Sequence, residues 1–300
     1  MRPDFRRHLI VCLLAMSPLL HPDEPLAPFA PGVISSPLPE FATTVTDDGA
    51  TIAFNRTSAD RDTMWILVSE RTSDGWTEPR PLPFSTGTWR DVDPFFTPDG
   101  RRLYFSSNRP TAPGDTIADF NTWFVERSAE GWSAPRDPGA PLNSPATEIF
   151  VSITRDGEIF FSREDGEGPR HIVHARLTAT GATEPRPIAF DLPASVRLGN
   201  PAISPDGRTL VVATRDLPGL GGPDLYVSFR TGADWTRPVN AGARINSAHA
   251  EFAPAFSPDG RHLFFTSERP GVVSAEAATG RPPGDIYRVP VSWLPVHPNE

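Results

Sequence analysis

The chain has 300 residues, of which 38% are hydrophobic, so it is long enough to bury a substantial core. Its 36 prolines and 23 glycines disfavour long helices and favour short strands joined by tight turns. The formal net charge of −9 argues against a phosphate-binding surface, so nucleic acid is not an expected partner.

The first predicted element is an export signal at residues 1–21. Arg6 and Arg7 precede an apolar stretch at 9–20, an arrangement typical of a secretory leader. The stretch is too short to cross a bilayer as an ordinary helix, so we expect no transmembrane span. Cys12 is the only cysteine, and its surroundings match a lipid-attachment site poorly because a bulky residue precedes it. We therefore expect a periplasmic or secreted protein without disulfides or a lipid anchor.

Residues 24–30 are predicted to form an outer strand that completes the last repeat of the chain. Their sequence, Glu-Pro-Leu-Ala-Pro-Phe from residue 24, resembles two fourth-strand segments at 78–84 and 184–190. The last repeat stops after its third strand at 285–291, so an N-terminal strand would close the structure. The alternative is a disordered, proline-rich linker that follows the leader.

Five turns of the Ser-Pro-Asp-Gly type recur along the rest of the chain. They end at Gly49, Gly100, Gly157, Gly207 and Gly260. An apolar strand follows each turn, an alternating strand comes next, and the fourth strand carries proline, which suits an exposed edge. Such repeats indicate the blades of a β-propeller. The predicted fold class is all-β: a five-bladed propeller of four-stranded antiparallel blades over 22–296, with a tail at 297–300.

Two of the repeats resemble a known family. Phe-Thr-Pro-Asp-Gly-Arg-Arg-Leu-Tyr-Phe-Ser-Ser-Asn-Arg at 96–109 and Phe-Ser-Pro-Asp-Gly-Arg-His-Leu-Phe-Phe-Thr-Ser-Glu-Arg at 256–269 are similar to the repeats of TolB-like propellers. The resemblance extends over roughly residues 40–291, and the turns at 46–49 and 154–157 depart from it. It implies an exported bacterial propeller, often a binding or scaffolding component of the cell envelope. It implies no single activity.

The long loops are all predicted on one face of the ring, and the short Asp-Gly turns on the other. Because binding residues concentrate on variable loops of a rigid scaffold, we expect a ligand on the long-loop face. Four of the five repeats begin their first strand with a carboxylate, and two repeats carry a further polar residue two positions later. The predicted ligand-binding residues are Glu40, Asp91, Asp93, Glu148, Asn200, His249 and Glu251.

These oxygen-rich side chains would suit a hard cation such as calcium, or a basic group from a partner. The alternative is that each acid accepts a loop N–H or pairs with an arginine and only fixes blade spacing, since repeated residues usually serve the repeat. Two structural ion pairs are also predicted within blades: Arg109 with Asp119, and Arg269 with Asp285. No cofactor is otherwise implied.

Catalytic signatures are absent from the sequence. It contains no nucleophile elbow, zinc-binding helix motif, phosphate-binding glycine loop or cysteine pair. We therefore expect a monomeric, non-enzymatic module that binds an envelope protein or a glycan, and we assign no catalytic residue. A carbohydrate-active or other degradative enzyme with a site at the channel mouth is the alternative. A purely structural module without a ligand is a third hypothesis.

Overall fold

The computed structural model describes residues 26–117, 119–166, 169–271 and 282–297. The predicted leader, the first residues of the predicted N-terminal strand, and residues 298–300 of the tail lie outside these ranges. Within them the chain is almost entirely β, and its helical structure is a single 3-10 turn at Val291–Trp293. None of the described helical structure is long and apolar enough to cross a membrane.

Five antiparallel sheets follow one another along the chain, and we number them as blades 1 to 5. Blade 1 contains β1 (Glu40–Val45), β2 (Thr51–Thr57), β3 (Met64–Thr72), β4 (Gly75–Trp76) and β5 (Arg80–Pro81). Blade 2 contains β6 (Asp91–Phe96), β7 (Arg102–Ser107), β8 (Asn121–Ser128) and β9 (Gly131–Trp132). Blade 3 contains β10 (Thr147–Ile153), β11 (Glu158–Glu164), β12 (His171–Thr178), β13 (Gly181–Ala182) and β14 (Arg186–Pro187). Blade 4 contains β15 (Gly199–Ile203), β16 (Thr209–Thr214), β17 (Asp224–Thr231), β18 (Asp234–Trp235) and β19 (Val239–Asn240). Blade 5 contains β20 (Glu251–Phe256), β21 (His262–Ser267) and β22 (Asp285–Pro290).

The fourth strand of blades 1 to 4 is short and interrupted by proline. In blades 1, 3 and 4 it consists of two dipeptide segments that pair with the third strand, and in blade 2 one segment is reduced to a bridge between Phe124 and Arg136. A proline lies between the two segments in each case: Pro79, Pro135, Pro185 and Pro238. Because proline has no N–H, the outer edge is where its missing hydrogen bond costs least.

The N-terminal segment completes blade 5, as predicted. Pro28 forms an antiparallel bridge with Tyr287 in β22, and the Phe29 N–H donates to the Ile286 carbonyl at 2.6 Å. The Phe29 ring packs in the same apolar cluster as the fully buried Ile34. The pairing is one bridge with its neighbouring hydrogen bond rather than a full strand. These contacts join the start of the described chain to its last blade and close the ring.

Apolar side chains fill each gap between neighbouring blades. Five buried clusters alternate with the five sheets around the ring. The second strands contribute to the gaps on both sides: Leu103 of β7 packs against blade 1, and the adjacent Tyr104 packs against blade 3. The first strands contact one another in ring order, and β20 contacts β1. The nearly continuous hydrophobicity of the second strands therefore reflects burial between two sheets.

The Asp-Gly turns join the first and second strands on the face opposite the long loops. In each turn a threonine or serine hydroxyl donates to the aspartate two residues later, as Thr46 does to Asp48 at 2.6 Å. This bond holds the pKa of Asp48 below its usual range. The turn glycines have φ between +66° and +84°, the left-handed region in which glycine avoids strain. Turn geometry thus accounts for the repeated Asp-Gly pair.

Candidate ligand site at the channel mouth

Every first strand is interrupted by a β-bulge at the same place. Its register shifts beside a residue with φ between +48° and +63°, namely Ala42, Asp93, Phe150, Asn200 and Ala253. A bulge bends the strand and redirects its side chains. In a strictly alternating strand Asp93 and Asn200 would share a face with the residues two positions earlier, and the bulge breaks that alternation. The first strands carry two separate rings of side chains.

We name the two rings by their position. The outer ring is the position at or next to the start of each first strand: Glu40, Asp91, Glu148, Leu198 and Glu251. The channel ring lies two residues later and consists of the five bulge residues: Ala42, Asp93, Phe150, Asn200 and Ala253.

In blades 1 and 3 an arginine on the second strand pairs with the outer-ring acid. Arg56 Nε donates to Glu40 Oε1 at 2.7 Å, and Arg163 Nε donates to Glu148 Oε1 at 2.9 Å. The hydroxyl and the backbone N–H of Ser36 also donate to the Glu40 carboxylate, at 2.5 and 3.0 Å. The serine four residues before Glu148 does the same at 2.5 and 3.2 Å. Both glutamates are fully buried, and both of their carboxylate oxygens have donors.

In blades 2 and 5 a serine occupies the second-strand position opposite the acid. The arginine follows two residues after this serine and reaches back to the acid. Arg109 Nη2 lies 2.5 Å from Asp91 Oδ1, and Arg269 Nη2 lies 3.2 Å from Glu251 Oε1. Ser107 stands between the charges of blade 2: its hydroxyl donates to Asp91 at 2.7 Å and accepts from Arg109 Nε at 3.1 Å. Two sequence arrangements thus build one kind of buried ion pair.

The ion pairs predicted for Arg109 and Arg269 require correction. Their carboxylate partners are Asp91 and Glu251, where Asp119 and Asp285 were expected. Asp91 is 1% exposed, whereas Asp119 is partly exposed. An unpaired carboxylate costs more free energy when it is buried than when it is partly exposed. The guanidinium therefore turns towards the first strand. Burial raises the pKa of Asp285 to about 6, and a hydrogen bond from Ser35 opposes that rise.

Blade 4 lacks the ion pair altogether. Its outer-ring residue is Leu198, and Thr214 occupies the second-strand position that holds arginine or serine in the other blades. The neighbouring Arg197 instead pairs with Asp216 at 2.8 Å, where its side chain is 61% exposed. The acid and its arginine are absent together. This is expected because an unpaired buried charge destabilises a protein more than the loss of both partners does.

Burial is the largest influence on the pKa values of three outer-ring carboxyls. It raises the pKa of Glu40 to about 7, and the donors Ser36 and Arg56 act in the opposite direction. It also raises the pKa values of Asp91 and Glu148. Each blade therefore supplies arginine and hydroxyl donors that offset the desolvation of its own acid. This arrangement matches the alternative in which these acids fix blade geometry.

The channel ring combines apolar and polar side chains. Blades 1, 3 and 5 contribute one apolar cluster at the ring centre, composed of Ala42, Phe150, Ala253, Phe41, Ile149 and Phe252. Blades 2 and 4 contribute Asp93 and Asn200. The cavity along the channel has a volume of about 10 Å³, roughly the space of one water molecule. A ligand would therefore bind at the mouth of the channel and not inside it.

Asp93 is the charged member of the channel ring. Its backbone N–H donates to Asn55 Oδ1 at 2.7 Å, whereas its carboxylate makes no hydrogen bond within the described ranges. The side chain is 7% exposed and lines the channel cavity. Burial raises the pKa of Asp93 to about 7, and the positive charge of Arg170 opposes that rise. A perturbed carboxyl in a concave site is a candidate for function.

Arg170 belongs to the same mouth, and sequence reasoning missed it. It lies over Gly199, where an added Cβ would stand 3.5 Å from Arg170 Cδ. Its Nε and Nη2 donate to Glu164 at 3.1 and 2.8 Å, and its side chain is 38% exposed. No repeated pattern marks this arginine. The serine four residues before three of the outer-ring acids was, by contrast, a visible signal that the sequence analysis passed over.

The remaining predicted site residues link neighbouring segments. Asn200 Oδ1 accepts from the Ala253 N–H at 3.4 Å, a contact between blades 4 and 5. The His249 N–H donates to the Ser247 hydroxyl at 3.1 Å, and its carbonyl accepts from Gly222 at 2.9 Å. Within the described residues no three His, Cys, Asp or Glu side chains form a group that could hold a metal ion. Calcium binding stays a prediction from the sequence.

No family model and no curated protein matches this sequence. Solved structures do. A putative TolB from Agrobacterium tumefaciens has a TM-score of 0.52 at 14% identity, covering 87% of this chain and 92% of that one. TolB from Acinetobacter baumannii has a TM-score of 0.50 at 12% identity, covering 84% of this chain and 54% of that one. The catalytic domain of a GH62 α-L-arabinofuranosidase from Coprinopsis cinerea has a TM-score of 0.52 at 12% identity, covering 89% and 97%. What these proteins share with the chain is the fold.

The likeness extends to a putative TolB and to an arabinofuranosidase at nearly equal scores. One propeller architecture carries different functions, because function depends on the residues placed on it. The choice between binding and catalysis therefore rests on the channel mouth.

Proposed function

We propose that this chain is an exported β-propeller that binds a protein or glycan of the bacterial cell envelope at its channel mouth, without catalysing a reaction. The leader-like segment and the TolB-like repeats support an envelope location. The mouth supports binding because apolar, acidic and basic side chains meet there at the end of a nearly filled channel.

One observation carries the proposal: the outer-ring acids are committed to their own blades, which leaves Asp93 as the carboxylate of the two rings whose oxygens accept no hydrogen bond in the described residues. Glycoside hydrolysis in most families needs two carboxyl groups roughly 5–9.5 Å apart. Within the two rings, a second carboxylate for that reaction would have to come from an acid that is already held in a buried ion pair. Recognition needs no such partner.

The mouth offers three kinds of contact to a ligand. Phe41 and Phe252 are partly exposed and present apolar surface for the ring of a sugar or for a side chain. Asp93 accepts a hydrogen bond from a hydroxyl or an ammonium group, and Arg170 donates to a carbonyl or carboxylate oxygen. Such a small set of polar groups in an apolar setting is how ligand sites fix orientation.

Affinity capture from an envelope extract tests the proposal with a matched pair of variants. Asp93→Asn removes the charge at the mouth, and Asp74→Asn removes an exposed carboxylate from an outer turn of blade 1. We expect the wild type and Asp74→Asn to retain the same protein or glycan and Asp93→Asn to lose it. Equal recovery of the protein or glycan by all three forms would show that the channel mouth is not the binding site.

The enzyme alternative has its own assay. Incubation with aryl α-L-arabinofuranosides and other aryl glycosides should release no phenol above the buffer rate. Release that disappears in Asp93→Asn would replace the binding proposal with catalysis at the same mouth.

A further inference from the structure

A second concave surface lies on the face of the Asp-Gly turns, between blades 2 and 3. It is an open groove of about 650 Å³, within the size range of ligand pockets. Its floor is apolar and includes Tyr104, Ile153 and Leu177. We call it the arginine groove because five arginines line it: Arg101, Arg102, Arg127, Arg136 and Arg155.

The groove is positively charged in an otherwise acidic protein. Its five arginines stand against two carboxylates, Asp99 and Glu126, whereas the whole chain has a net charge of −9. Arg102 and Arg136 each lie 2.8 Å from a different oxygen of Glu126, so one acid serves two cations. Their side chains remain 44% and 59% exposed. Both have donor capacity left for another carboxylate.

The other carboxylate offsets only part of the charge of the remaining arginines. Although partial burial raises the pKa of Asp99, the positive charges of Arg101 and Arg102 help to bring it below its usual range. Asp99 Oδ1 accepts from the Thr97 hydroxyl and the Arg101 N–H, which are turn contacts. Arg127 lies over the Trp132 ring at 5.8 Å, and the Arg155 guanidinium donates to a backbone carbonyl in the blade 5 turn. Arg101 and Arg127 form no salt bridge with an acid in the part of the chain that the structure describes. The five arginines and two carboxylates that line the groove therefore leave an excess of three positive charges.

The repeat accounts for only part of this charge. Arginine recurs in other blades at the positions of Arg101, Arg127 and Arg136. At the position of Arg102, blades 1, 4 and 5 have Thr51, Thr209 and His262. At the position of Arg155, the other turns carry Asp47 in blade 1 and proline in blades 2, 4 and 5. A residue that only stabilised the blade would be expected in several repeats. Arg102 and Arg155 therefore add charge, at one of the five gaps between blades, that the repeat does not require, which indicates a role beyond folding.

We infer that the arginine groove binds an acidic, extended peptide segment of a partner protein. Guanidinium groups match carboxylates in a planar, two-bond geometry, and the apolar floor suits the aliphatic parts of glutamate side chains. The net charge of the chain disfavours a long polyanion, whose ends would meet acidic surface outside the groove. A short acidic segment contacts only the groove. This inference does not depend on the channel mouth, which lies on the opposite face.

Titration calorimetry with a hexaglutamate peptide tests the inference on the full chain. Arg127→Gln with Arg136→Gln removes two charges from the groove. Arg71→Gln with Arg80→Gln is the matched control, because these residues occupy the blade 1 counterparts of Arg127 and Arg136. We expect the groove variant to bind the peptide roughly tenfold more weakly than the wild type, and the control to bind like the wild type at about 0.15 M salt.

Three results would overturn the inference: no binding of hexaglutamate by the wild type, equal weakening in both double variants, or binding of a sulfated oligosaccharide in place of the peptide. Equal weakening would show a general charge effect and not a site. Thermal melting of both variants checks that each remains folded, since all four arginines have exposed side chains.

Discussion

The outer ring and the channel ring lie two residues apart on the same five strands, yet they differ in nearly every respect. The outer ring repeats an acid in four blades, and each acid has an arginine and a hydroxyl from its own blade. The channel ring has Ala, Asp, Phe, Asn and Ala, and its one carboxylate lacks a hydrogen bond in the described ranges. In this protein, repetition marks the positions that build blades, and departure from it marks the positions available for function.

The arginine groove follows the same rule on the other face. Arg155 replaces the proline found in three of the other turns, so a departure from the repeat again coincides with a candidate site. The contrast predicts effects of opposite sign: removal of an outer-ring acid should destabilise the protein, and removal of the channel-ring acid should stabilise it.

Loss of ring closure should have the largest effect, because both rings need all five strands in place. Removal of residues 1–35 takes away Phe29 and the fully buried Ile34, which pack between blades 5 and 1. We expect the free energy of unfolding to fall by about 5 kcal/mol or more, measured by urea unfolding. Removal of residues 1–25 alone is the control and should leave the free energy of unfolding unchanged. Equal transitions for the two truncations would show that the segment does not hold the ring.

Glu148→Ala should destabilise the protein by about 3–5 kcal/mol, because it leaves Arg163 beside a buried site without its acid. Blade 4 supplies the control. Glu148→Leu with Arg163→Thr copies its Leu198 and Thr214, and we expect this double variant to unfold within about 1 kcal/mol of the wild type. A double variant as unstable as the single one would mean that blade 3 needs the ion pair itself and that the Leu–Thr combination of blade 4 cannot replace it.

Asp93→Asn should stabilise the protein at neutral and higher pH. Burial raises the pKa of Asp93 from its ordinary value of 3.8 to about 7, so the folded state favours the protonated form. The stability contributed by this group is complete below pH 3.8 and is lost as the pH rises through 7. We expect Asp93→Asn to exceed the wild type by roughly 1–4 kcal/mol at about pH 8 and to match it near pH 4, measured by urea unfolding. A destabilised variant at pH 8 would mean that the carboxylate has a stabilising partner.

The smallest effect concerns a hydroxyl that links blades. Ser106 Oγ accepts from the Phe150 N–H at 3.0 Å, whereas Ser162, its counterpart in blade 3, has a buried hydroxyl without a partner in the described structure. Ser106→Ala should cost about 1 kcal/mol, and Ser162→Ala should be neutral or slightly stabilising. Thermal melting of the two variants compares them directly, and equal losses would show that Ser162 does have a partner.

The sequence was sufficient to predict the five blades, the turn glycines and the N-terminal closure. Each of these follows from a local signal repeated at a nearly even spacing: Asp-Gly turns, apolar second strands and proline on the outer edge. Closure was predictable because residues 24–30 match fourth-strand segments elsewhere in the chain. The sequence also predicted the outer-ring acids as a group.

Which groups those acids contact was decided by the tertiary structure. Asp91 and Arg109 are 18 residues apart and meet because β6 pairs with β7, and a bulge then turns Asp93 out of the alternating pattern. Arg170 reaches the mouth from the loop between β11 and β12, and no repeated sequence pattern marks it. The arginine groove needs two blades side by side. Local sequence patterns specify turns and strands because these elements depend on interactions between residues that are close in sequence. Ion pairs and sites depend on register and on neighbouring blades, which a repeat averaged along the chain does not encode.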